Sequence, residues 1–203
     1  MTEPLQFAMN SGFKLFFIFC PFLTVSLFLG ITRDFKHARR QAFALKATFA
    51  IATLCLSFYF FGSIIFAIFG LTLDAFRIGA GSLLFLTAVD LVRGRAEEPK
   101  KAQNESDTEK VVVPFSFPIV VGPAVIGVLF VMGADVDTPT MKVAGALAVL
   151  AAVLVQGGLL LMATQVEQWM GKTNLAVFSK ITGIILAALA SQMIFTGIKA
   201  FLA

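Results

Sequence analysis

One ten-residue stretch, Pro114-Phe115-Ser116-Phe117-Pro118-Ile119-Val120-Val121-Gly122-Pro123, constrains this chain more than any other. It lies inside an apolar run from Val111 to Gly133, long enough to cross a bilayer, which takes roughly 20 apolar residues. Three prolines and a glycine in ten residues rule out an unbroken helix, because each proline removes a donor and clashes with the preceding turn. In hydrocarbon the freed amides and carbonyls must be satisfied by protein or by water in a cavity. The chain must therefore fold so that this break faces inward.

The break has company. Of 203 residues 58% are hydrophobic and only 14% charged, and the mean hydropathy is +0.90. Soluble domains are about a quarter charged, so this composition belongs in lipid. Dividing the chain by span length gives an all-α polytopic membrane protein with six transmembrane helices. Span 1 is Phe13 to Ile31, broken at Pro21. Span 2 runs from Gln41 through the Phe60–Phe69 region, long enough to tilt or to bend at Gly62. Span 3 is Phe76 to Val92, and the proline-rich run is span 4. Span 5 is Met141 to Met162, continuing to an interfacial Trp169, and span 6 is Leu175 to Leu202. The first span follows a start without basic residues and leads into charges without a cleavage site, so it is expected to stay in the protein.

Lysines and arginines set the orientation. Arg33, Lys36, Arg39, Arg40, Arg93, Arg95, Lys100, Lys101, Lys110 and Lys172 follow spans 1, 3 and 5, against Lys14, Lys142 and Lys199 on the other side. Loops 1, 3 and 5 are expected to be cytoplasmic in an inner (plasma) membrane, with both termini outside. The formal net charge of +4 thus reflects topology and not nucleic-acid binding. Three spans leading inward followed by three leading outward make an inverted 3+3 repeat, with residues 1–92 as the first, 93–110 as a cytoplasmic linker and 111–203 as the second. Cys20-Pro21 in span 1 matches Phe117-Pro118 in span 4. Phe76-Arg77-Ile78-Gly79-Ala80-Gly81 in span 3 parallels Phe178-Ser179-Lys180-Ile181-Thr182-Gly183 in span 6.

Broken spans at matching places in two halves point to a central binding site. Cys20, Pro21, Thr24, Ser116, Pro118, Gly122 and Pro123 are the substrate-binding candidates there. The half-helix beginning near Gly122 offers free N–H groups to a carboxylate. Gln156 and Gln192 lie deep in spans 5 and 6, where an amide either cross-links helices or contacts a solute. Arg77, Asp90 and Lys180 are charges within spans, hence coupling or gating candidates; each also has a plain reading as a side chain snorkelling to an interface. No nucleotide-binding loop, serine–histidine pair or metal-ligand spacing is present, so neither an enzyme nor a cofactor is expected.

The run Phe69-Gly70-Leu71-Thr72…Ala75-Phe76-Arg77-Ile78-Gly79-Ala80-Gly81…Leu83-Leu84-Phe85-Leu86…Asp90 resembles the span 2–3 signature of the MarC family. Pro114…Pro118…Gly122-Pro123 is similar to that family's span 4 motif, and Thr24-Val25-Ser26-Leu27-Phe28-Leu29-Gly30 and Gln192-Met193-Ile194 fit as well. The resemblance implies six spans, an inverted-repeat fold related to the LysE-type exporters, and transport of small neutral amino acids such as glycine and alanine. The chain departs from the pattern in span 1, where a proline precedes an Asn-Pro pair by three residues: Phe17 stands for that proline and Cys20 for the asparagine.

The expected function is secondary transport of a small neutral, zwitterionic solute by alternating access, with coupling to protons or sodium ions and Asp90 as the coupling candidate. The partners are then that solute and membrane lipid. Two alternatives belong to other classes. A thiol–disulfide relay would use Cys20, but the matching span 4 position is Phe117, leaving only Cys55 as a second thiol. A non-transporting accessory membrane protein would need none of these polar residues to face a solute.

Overall fold

The computed structural model describes residues 3–94, 112, 115–136 and 138–202. Its helices are α1 (Glu3–Ile18), α2 (Pro21–Ile31), α3 (His37–Phe69), α4 (Leu73–Arg93), α5 (Pro123–Ala134), α6 (Pro139–Leu161) and α7 (Ala163–Leu202), with a short π-type segment, Phe115–Val120, ahead of α5. Most of the 93–110 linker, and Pro114 of the span 4 motif, lie outside the described residues. Among the described residues four helices, α3, α4, α6 and α7, are long and apolar enough to cross a bilayer. Helices α1 and α2, bent by 44° at their junction, make a fifth candidate span together. Helix α5, at 12 residues, is too short to cross alone.

Local chemistry sets the helix ends. Thr72 caps α4 by accepting a hydrogen bond from the Ala75 amide at 3.2 Å, and Thr138 does the same for α6 from the Met141 amide at 3.4 Å. Gly70 and Gly94 close α3 and α4 in the left-handed conformation, with φ of 62° and 70°. Helix α3 is helical on both sides of Gly62, and its candidate membrane span runs His37–Gly62. That glycine lets the α5 backbone in, since a Cβ there would lie 2.7 Å from the Phe130 carbonyl oxygen. Helix α7 is interrupted at Gly171 (φ 73°, ψ 160°), which separates the exposed Trp169 from the apolar span that follows.

Glycine contacts hold the bundle closely. Gly133 of α5 lies on the Tyr59 carbonyl, and Gly145 of α6 lies on the Tyr59 ring and hydroxyl. The Tyr59 hydroxyl in turn donates to the Lys142 carbonyl at 3.1 Å, so Tyr59 meets α5 through its backbone and α6 through its ring, with its polar end satisfied. Helix α4 runs antiparallel to α7 along three such points: Gly81 against Ala190 and Ile194, Gly183 against Ala88, and Gly197 against Asp74. Small residues permit this close approach, which lipid alone does not drive. Near the other end, Phe28 of α2, Phe43 of α3 and Phe115 form a buried aromatic cluster. Phe13, Phe49, Phe60, Phe195 and Phe201 point outward, as lipid-facing side chains do.

Candidate functional site

At the proline junctions inside the broken spans, the residue before proline leaves the right-handed helical conformation, because proline's ring crowds it. Phe117, before Pro118, is extended (φ −143°, ψ 124°), and Gly122, before Pro123, is extended too (φ −80°, ψ 175°). Cys20, before Pro21, is instead left-handed (φ 50°, ψ 62°), the one non-glycine residue with positive φ among the described residues. That conformation costs a residue with a Cβ roughly 1–2 kcal/mol.

Each break starts a new helix without a side-chain cap. At α2, Pro21 has no N–H, and the amides of Phe22 and Leu23 donate to no carbonyl among the described residues; the first closed bond is from Thr24 to the Cys20 carbonyl at 2.9 Å. At α5, Ala124 and Val125 stand in the same position, ahead of the bond from Ile126 to the Gly122 carbonyl at 3.0 Å. Helix starts of this kind carry partial positive charge and suit a carboxylate.

The hydroxyls expected to line the site are buried and engaged with backbone. Thr24 Oγ1 donates to the Phe19 carbonyl at 2.8 Å, satisfying an acceptor that the break would otherwise orphan. Ser116 Oγ sits 3.5 Å from the Ala47 carbonyl of α3, a long contact. The backbone of Pro118 falls within the π-type segment. Pro21 is buried at the first position of α2, whereas Pro123 is exposed at the first position of α5. Cys20 Sγ lies 3.4 Å from the Ile18 carbonyl, and both Cys20 and Cys55 are buried free thiols.

A cavity of about 230 Å³ opens between α1, α4, α5 and α7. Leu15 and Ile18 form part of its wall, so it reaches to within two residues of the Cys20 break. Its polar lining includes Ser11, Lys14, Arg77, Asp135 and Gln192. The structure thereby brings Arg77 and Gln192 together. Arg77 is held by two carboxylates, Asp74 at 2.7 Å and Asp135 at 2.5 Å. Asp90 and Lys180 are both exposed, with no ion pair among the described residues, and neither lines this cavity. Sequence reasoning counted Lys14 only toward topology and did not single out Asp135. Nothing local marks them, since Asp135 meets Arg77 from 58 residues away.

The fold and these breaks define an α-helical integral membrane protein with interrupted spans. The MarC family integral membrane protein model matches residues 5–202, and the chain belongs to that family. It is 32% identical over 200 residues to the UPF0056 membrane protein MJ1677 of Methanocaldococcus jannaschii, covering 96% of this chain and 97% of that one. It is 28% identical to the UPF0056 membrane protein YhcE of Escherichia coli (91% and 88% covered) and 26% identical to YvbG of Bacillus subtilis (96% and 95%). No solved structure matches.

Proposed function

We propose that the protein is a secondary transporter of a small neutral, zwitterionic solute such as glycine or alanine, working by alternating access. The observation that carries this reading is the cavity of about 230 Å³, with an apolar interior and side chains of both charges at Lys14, Arg77 and Asp135. Drug-sized ligands occupy pockets of about 300–1,000 Å³, so this one suits something smaller. A zwitterion pairs its carboxylate with the cations or an uncapped helix start, and its ammonium with Asp135 or a carbonyl.

On this reading α5 and the segment before it make the sixth span, and the two halves form an inverted 3+3 repeat. The packing supports it: α2 lies against α7, and α5 against α4, the partners that an exchange of halves requires. The loops after spans 1, 3 and 5 face the cytoplasm, both termini face outside, and the cavity opens outward. Coupling to protons or sodium ions belongs to the same proposal, with Asp90 as the site. The family membership supports the assignment no further than to the membrane, because the matched relatives' names state no substrate.

Counterflow in proteoliposomes tests the proposal. Wild-type protein is expected to exchange labelled alanine or glycine, and a Ser11→Phe variant, which fills the cavity, to lose at least tenfold of that rate. No exchange of any small neutral amino acid by wild type would sink it.

A further inference from the structure

Gln156 is unlike the other polar side chains of the bundle interior. Its residue is 0% exposed, and neither the amide nitrogen nor the amide oxygen has a hydrogen-bond partner among the described residues. Thr24, Thr48 and Ser116 all rest on backbone carbonyls. A carboxamide has two donors and an acceptor oxygen, and leaving them all unpaired in a dry interior is costly.

Its height in the bundle follows from contacts on either side. Helices α3 and α6 run antiparallel, Tyr59 meeting Gly145 and Thr48 meeting Gly157. Gln156 is therefore level with Ala47 and Thr48, where Ser116 arrives from the span 4 break. On the other flank, Gly12 of α1 faces the Ala148 carbonyl, and Arg40 binds both the Thr32 carbonyl, just after α2, and the Thr164 hydroxyl, just after α6. The bent first span thus runs alongside α6 in the same direction. Interpolating between those two points sets Gln156 level with residues 20 to 24, the break itself. Around α6, at about 100° per residue, Gln156 falls between Ala148, which faces α1, and Gly157, which faces α3. That placement turns it toward the level at which the first span is broken and, among the described residues, the Phe22 and Leu23 amides donate to no carbonyl.

Resting on the transporter reading above, we infer that Gln156 is a specificity-determining residue. Its amide N–H donates to the carboxylate of a zwitterionic solute held at the start of α2, and its oxygen accepts from the solute's ammonium group. A solute with only one of these functions leaves half of the carboxamide unpaired, so the residue selects for both. The outer cavity, whose wall includes Ile18, is the approach to it.

Gln156→Met tests this, because methionine fills a similar volume without hydrogen-bonding groups. The probes are alanine and glycine. Thermal unfolding of the detergent-solubilised protein without solute should be unchanged or raised in the variant, since an unpaired amide is removed. The stabilisation that alanine gives the wild type should be lost, and the KM for alanine exchange should rise at least tenfold, with the maximal rate changed less. A variant that melts lower without solute would show that the amide is satisfied structurally, overturning the inference. So would a variant with wild-type KM, which would leave the transporter reading standing. A wild type that neither exchanges nor is stabilised by either amino acid would overturn both.

Discussion

The guanidinium of Arg77 lies 2.5 Å from the carboxylate of Asp135, joining the start of α4 to the end of α5 at the cavity wall. Arg77 is largely buried and Asp135 about half exposed, so solvent screens part of the attraction. Because Asp74 holds the same guanidinium, Asp135→Asn should cost no more than about 1 kcal/mol of stability. Arg77→Ala, which strands two carboxylates together, should cost more. A double-mutant cycle read by thermal unfolding is expected to show Arg77→Ala/Asp135→Asn at least as stable as Arg77→Ala, because the second change removes one of the two stranded carboxylates. Simple additivity would mean that the pair does not form.

The left-handed backbone at Cys20 makes a second expectation. Asparagine adopts that conformation more readily than cysteine, and β-branched residues hardly adopt it. Cys20→Asn should therefore stabilise the protein by about 1 kcal/mol, and Cys20→Val should destabilise it by at least that much. Chemical or thermal unfolding in detergent ranks the three. A valine variant as stable as wild type would exclude the left-handed geometry.

Thr24→Val removes the hydroxyl that satisfies the Phe19 carbonyl at the same break. Leaving a buried carbonyl unpaired costs about 1–3 kcal/mol. A Thr24→Ser variant keeps the donor and should recover most of that loss, so the pair separates hydrogen bonding from packing.

Gly133→Ala puts a methyl group into the Tyr59 carbonyl, a backbone atom that cannot step aside. The variant should lose at least about 1–3 kcal/mol, as overpacked cores do. Gly158→Ala is the control: a Cβ there meets nothing within 4 Å, and stability should stay within about 0.5 kcal/mol. Comparable melting of the two variants would contradict the placement of α5 against α3.

These cases also mark what could be read from sequence. The breaks were legible, because Pro21, Pro118 and Pro123 act on their immediate neighbours and need no tertiary context. The caps at Thr72 and Gly70 follow from equally local chemistry. What stayed illegible depends on residues far apart in the chain. Nothing near Asp135 announces Arg77, and nothing near Lys142 announces that its carbonyl receives Tyr59. Gln156 could be noticed as a polar residue in an apolar span, but only its packed surroundings distinguish an unpaired amide from a cross-link. The count of spans had a similar limit. Hydropathy treats Val111 to Gly133 as one segment, whereas the backbone there is a π-type turn, an extended junction and a 12-residue helix.

The glycine contacts have a mechanical corollary. Tyr59 keys α3 to α5 and α6; Gly127 seats Ala80, joining α5 to α4; Gly81, Gly183 and Gly197 fasten α4 to α7. Sliding any of these helices past its neighbour would drive a backbone atom or a methyl group into another chain segment. Among the described residues the bent first span is without such a contact: Gly12 makes an ordinary one at 3.8 Å, and nothing lies within 4 Å of Gly30. Five of the seven helices are therefore keyed to one another by close glycine contacts, whereas the glycines of the α1–α2 elbow make none.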